Sequence, residues 1–96
     1  MSTQPNALKA AKDLTIENRN GLHARPAALF VKTSSRFRSD VWGEKDGEKV
    51  NGKSIMGLMM LAAGKGSVLR VTAEGVDAAL VLTELEQLIR TRFGEE

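Results

Sequence analysis

The chain has 96 residues, 42% of them apolar, which supports one domain with a single modest core and excludes a large multi-domain enzyme. It has no cysteine and one histidine, so disulfide scaffolds, thiol nucleophiles and cysteine-ligated metal centres are excluded, and a histidine-held metal is disfavoured. The net charge of +2 is too weak to point to nucleic acid or an anionic membrane, yet residues 1–39 hold seven Lys or Arg against two acids, a basic half suited to an acidic partner.

Residues 1–11 are polar, carry Pro5 and read as a flexible lead. They lack the apolar run of a signal peptide, and no stretch of the chain approaches the ~20 apolar residues of a membrane span, which points to a soluble cytoplasmic protein. The domain is expected over residues 12–93, followed by a short tail at 94–96. Asp13 to Glu17 alternates polar with apolar, the period of a half-buried strand, and turn residues Asn18 to Gly21 break it. Beyond His23 the spacing of Ala27, Phe30, Val31 and Ser34 predicts a helix to about Arg36, with Pro26 in its first turn. Asp40 to Lys45 and Glu48 to Asn51 flank Asp46-Gly47, a dipeptide suited to a tight hairpin. Ser54 then caps a short apolar helix over Ile55 to Leu61, closed by Gly64 to Gly66.

Ser67 to Ala73 alternates again, with Leu69, Val71 and Ala73 on one face. The last element is a helix from an Asp77 cap to Arg92, with Ala78, Val81, Leu82, Leu85, Leu88 and Ile89 as its apolar stripe and Glu86–Arg90 as a surface pair. The fold predicted is α+β: an open-faced sandwich, a four-stranded antiparallel sheet covered on one face by three helices, in the order βαββαβα.

Two segments could carry chemistry. In Gly21-Leu22-His23-Ala24-Arg25-Pro26, a helix starting at Ala24 puts His23 at the N-cap and leaves the Ala24 and Arg25 amides without helical partners. Such an end attracts an anion, Arg25 adds a planar fork of donors, and a neutral imidazole is a nucleophile, so the group could accept a phosphoryl unit. The plainer reading is that His23 only caps or packs and Arg25 is a solvated charge, although Ser, Thr, Asn or Asp would cap better.

The second segment, Gly47 to Ser54, spells GxxxxGK[ST], the pattern of a P-loop nucleotide binder that would use Lys53. Against it, Asp40 to Lys45 is half polar and Asp46-Gly47 suits a hairpin. Ser54 has two further readings: a cap alone, or an accessible cap that takes a regulatory phosphate beside Lys53. Ile55, Met56, Met59 and Met60 cannot all point inward from a helix under two turns long, so some of them are expected on the surface as a docking patch. A module using only that patch would leave Gly21 to Pro26 unexplained.

GLHARPA at 21–27 and NGKSIMGLMML at 51–61 resemble the histidine-containing phosphocarrier (HPr) family, over about Lys12 to Phe93 and with His23 and Ser54 at the family's spacing. The resemblance implies a carrier protein, rather than a stand-alone enzyme, of the phosphoenolpyruvate-dependent sugar phosphotransferase system. Enzyme I would phosphorylate His23 on Nδ1, and an enzyme IIA would receive the group. Arg25 would steady the phosphorylated ring, with support from Asn20, Gly21 and Ala24. Ser54 would be the target of HPr kinase/phosphorylase, and in some bacteria that form acts with a transcriptional regulator of carbon catabolite control. Leu22, Ala28, Ile55, Met56 and Met59 would form an apolar docking patch, with Lys32 and Arg36 adding positive charge. No cofactor, metal, nucleic acid or membrane is implied, and a monomer suits a protein that visits several partners. The Phe93-Gly94-Glu95-Glu96 ending resembles the nitrogen-related branch as much as the sugar branch, which leaves a regulatory phosphorelay as a second pathway.

Overall fold

The computed structural model describes residues 8–95. Four strands, β1 (Lys9–Thr15), β2 (Asp40–Lys45), β3 (Glu48–Asn51) and β4 (Val68–Glu74), alternate with three helices, α1 (Ala24–Ser34), α2 (Ile55–Met60) and α3 (Ala78–Arg90), in the order βαββαβα. The strands pair antiparallel in the spatial order β1-β4-β2-β3. This is the open sandwich expected from the pattern of alternating and helical periods. Asp46 and Gly47 both take positive φ, 52° and 85°, as the two-residue turn between β2 and β3 requires.

The core lies between the sheet and the helices. Leu69, Val71 and Ala73 of β4 are fully buried, as are Phe30 of α1, Leu58 of α2 and Val81, Leu85 and Ile89 of α3. A buried side chain of this size contributes about 1.5–3 kcal/mol relative to exposure, so these residues, and not surface ion pairs, hold the helices on the sheet.

Most element boundaries fall within one or two residues of the sequence reading, and the larger differences lie at the two ends of the domain. Residues 1–7 of the expected lead lie outside the described residues, but Lys9, Ala10 and Ala11 pair with Glu74, Ala73 and Thr72, so the domain begins before Lys12. The alternation was hidden because Lys12 stands opposite Val71 in the core-facing register, and its ammonium reaches Glu86 on α3. At the other end of the domain, α3 stops at Arg90 rather than Arg92, and Arg92–Gly94 form a tight turn of positive φ whose Phe93 is 4% exposed and joins the core. Asp77 occupies the position before α3 but makes no capping bond there. Its carboxylate instead accepts from the Arg38 and Ser39 amides, each at 2.9 Å, and from the Ser39 hydroxyl, tying α3 to the entrance of β2.

Candidate functional site

Gly21 opens the site. Its φ is +66°, and a Cβ built there would stand 2.4 Å from the Ala63 carbonyl oxygen, so only glycine fits where the loop crosses the segment after α2. The Leu22 amide donates to that same carbonyl at 2.8 Å, and the His23 amide donates to Gly21 O at 2.9 Å. These bonds place His23 at the N-cap of α1 with extended backbone. Its imidazole makes no capping bond, so the ring is available for other work.

The histidine side chain is 40% exposed. It borders an open depression of about 340 Å³ walled by Asn20, Leu22, Met59, Ala62, Ala63 and Gly64. Beside it, the Ala24 and Arg25 amides find no acceptor among the described residues, and α1 has no acidic residue in its first turn. Pro26, buried at the third position, has no amide hydrogen to place. Arg25 is exposed and makes no ion pair among the described residues. A helix N-terminus with unpaired amides, a guanidinium and a nucleophilic ring meet at one solvent-facing point, an arrangement able to hold a phosphoryl group while leaving it open to a partner.

Two residues of the site were not legible in sequence. Glu95, 72 positions from His23, accepts from the ring Nε2 at 3.2 Å. Fully buried Asn18 donates through Nδ2 to the same Glu95 carboxylate at 3.0 Å and to Gly21 O at 2.7 Å. The His23 ring foremost, then the Asn18 amide and the charge of Arg25, hold the Glu95 carboxyl below its ordinary value against the opposing effect of burial. In the sequence Asn18 reads only as a turn residue and Glu95 only as part of the tail.

The pattern of the PTS HPr component phosphorylation site matches residues 10–91. The chain belongs to the HPr family. It is 49% identical to the phosphocarrier protein HPr of Neisseria meningitidis over 88% of its own length and 94% of that protein's. The crystal structure of HPr from Thermoanaerobacter tengcongensis superposes with a TM-score of 0.87 at 50% identity, covering 91% of this chain and 98% of that one. Crh of Bacillus subtilis, a catabolite-repression protein solved as a domain-swapped dimer, superposes at 0.71 with 50% identity, covering 77% and 85%.

The rest of the HPr-like surface lies on α2. Ser54 caps that helix, its Oγ accepting from the Gly57 amide at 2.9 Å. Leu58 is the one α2 side chain fully in the core, while Ile55, Met56, Met59 and Met60 are exposed, Met56 by 74%. Met59 also walls the depression beside His23, so the methionine patch and the histidine share one face. Ala24, Ala28 and Lys32 of α1 are exposed, and so is Arg36 just beyond it, although Arg36 pairs with Glu84 at 3.4 Å. Leu22 departs from its expected docking role. It is 4% exposed and packs in the core, the hydrogen bond from its amide to Ala63 O drawing the loop inward.

The P-loop reading fails on topology. Gly47 to Ser54 starts inside the hairpin turn, runs along the edge strand β3 and ends at the α2 cap, and every strand pairing among the described residues is antiparallel. Lys53 donates its ammonium to Phe37 O at 2.9 Å, bracing the segment after α1 instead of facing a phosphate loop.

Proposed function

We propose that this chain is the phosphocarrier of a phosphoenolpyruvate-dependent sugar phosphotransferase system, accepting phosphate on His23 from enzyme I and passing it to the histidine of an enzyme IIA. The observation that carries the reading is the His23 ring itself. Its Nε2 is engaged by Glu95, its Nδ1 has no partner among the described residues, and it stands at a helix N-terminus whose first amides and Arg25 are also unengaged. The shallow, open setting suits a group that must be taken up from one protein and surrendered to another, where a closed pocket would trap it. Asn20, Gly21 and Ala24 shape the loop and amides beside the ring. Ala28, Ile55, Met56 and Met59 serve as the apolar docking surface, with Lys32 and Arg36 contributing positive charge toward acidic partners.

In this reading Ser54 is the regulatory site of HPr kinase/phosphorylase. A phosphate there adds about two negative charges to the docking face and hinders uptake from enzyme I. The protein works in the cytoplasm as a monomer. The similarity to Crh supports a second reading, a regulatory relay in which phosphorylation of Ser54 and contact with a transcriptional regulator matter more than sugar transport.

The deciding measurement is intact mass after incubation with phosphoenolpyruvate and enzyme I, before and after brief acid treatment. One acid-labile phosphate, absent from His23→Ala, is expected of the carrier. No label at His23, together with an acid-stable phosphate on Ser54 from ATP and HPr kinase, would replace it with the regulatory reading.

A further inference from the structure

After α3 the chain reverses through two consecutive left-handed residues, Arg92 at φ 58° and Phe93 at φ 55°. Each costs a non-glycine residue about 1–2 kcal/mol. Burial of the Phe93 ring returns about 1.5–3 kcal/mol, which offsets most of the cost of the pair, so the aromatic anchor contributes more to the hook than the exposed charges beyond it. The hook delivers Glu95 to His23 Nε2 and to the Asn18 amide. Asn18 commits both of its observed bonds to this corner even though its own Oδ1 is buried without a partner. An ion pair this exposed adds little to stability, and its consequence lies in the chemistry of the ring.

We infer that Glu95 is a positioning residue for phosphoryl transfer, its carboxylate keeping the imidazole hydrogen of His23 on Nε2 and the lone pair on Nδ1, where the phosphorus must bond. The inference rests on the carrier reading above. A carboxylate only accepts, so the nitrogen it touches carries the hydrogen, and the neutral ring then has its lone pair on the other nitrogen. Transfer from a donor phosphohistidine with a protonated ring proceeds without a proton changing hands. The Nδ1 lone pair forms the new P–N bond, the donor's P–N bond breaks with its electron pair returning to the donor ring, and the positive charge passes from that ring to His23. Glu95, already ionised 3.2 Å from Nε2, then faces a cation. Its attraction grows as the new bond forms, which is the kind of interaction that lowers a barrier and not merely a ground state.

The chain contains one histidine, so its imidazole ¹⁵N signals can be read without assignment. They are to be recorded near pH 8 for the wild type, Glu95→Gln and Glu95→Ala, alongside the rate of phosphoryl uptake from phosphorylated enzyme I. The wild type is expected as a single Nε2–H tautomer. Glu95→Gln keeps an acceptor but loses the charge, and uptake slows about threefold with the tautomer retained. Glu95→Ala loses both, giving a mixed tautomer and uptake slower by about tenfold, in line with loss of a partly exposed charged hydrogen bond. Backbone spectra of the variants should match the wild type outside residues near the hook, since Phe93 holds it. A Glu95→Ala protein with the wild-type tautomer, or with the wild-type uptake rate, would overturn the inference. A wild type that takes no phosphate would overturn the carrier reading instead, a distinct outcome.

Discussion

Arg25 illustrates how little a single side chain near the site owes to the fold. It is exposed and makes no ion pair among the described residues, while Pro26 and Ala27 beside it are the ones buried. Arg25→Ala should therefore leave the melting temperature nearly unchanged, within the ±0.5 kcal/mol usual for surface substitutions. Phosphoryl uptake should fall by roughly tenfold, less than the hundredfold or more seen when an enclosed donor is removed, because water screens an exposed guanidinium. Stopped-flow transfer kinetics with a parallel melting curve tests this, and an unchanged rate would remove Arg25 from the site. His23, Arg25 and the amides of Ala24 and Arg25 were legible in sequence because all four follow from one helix start. Glu95 was not, since its approach depends on a hook of two left-handed residues, one of them the buried Phe93, and periodicity signals neither the turn nor the anchor.

At the scale of elements, hydrophobic period was a sound guide wherever one face is uniformly apolar, as in β4 and α3. It misplaced the start of β1, where Lys12 interrupts the core-facing register and the adjacent Ala10 and Ala11 give weak strand signals. It also read Asp77 as a helix cap, when the carboxylate serves a neighbouring element. The hydrogen bonds from the Ser39 hydroxyl and from the Arg38 and Ser39 amides depress the Asp77 carboxyl to about 2. A depressed native value means that the unfolded chain binds the proton more readily, so stability from this group is present above the unfolded carboxylate value and is lost as pH falls toward 2. Asp77→Asn should be less stable than the wild type at neutral pH, with the gap closing between about pH 4 and pH 2. The lowered carboxyls of Asp13, Glu86 and Glu95 are common to both proteins and cancel in the difference. Denaturant titrations across that window would test the assignment, and a gap that stays constant with pH would mean that Asp77 acts through packing alone.

Over the whole molecule, the entrance of α1 and the exposed side of α2 meet on one face around His23 and Met59. Sequence made both halves of that surface legible as separate motifs. Their meeting depends on Leu22 and Gly21 locking against Ala63, a tertiary contact that neither motif contains. A charge introduced on one half should therefore act on the other through space, without any change of fold. Ser54→Asp isolates that effect, because aspartate caps a helix about as well as serine and can accept from the Gly57 amide in its place. The substitution adds a single negative charge to a face that, in the carrier reading, docks an acidic partner. In water a charge pair at ~4 Å is worth about 1 kcal/mol, so affinity for enzyme I should drop roughly fivefold at low salt and recover toward the wild-type value as ionic strength rises. Calorimetric binding at two salt concentrations, with melting curves for both proteins, separates the possibilities. Equal melting temperatures with salt-sensitive weakening support electrostatic control at Ser54. Equal affinities would reduce Ser54 to its structural role as the cap of α2, and a large fall in melting temperature would show that the hydroxyl contributes to the fold in a way a carboxylate cannot replace.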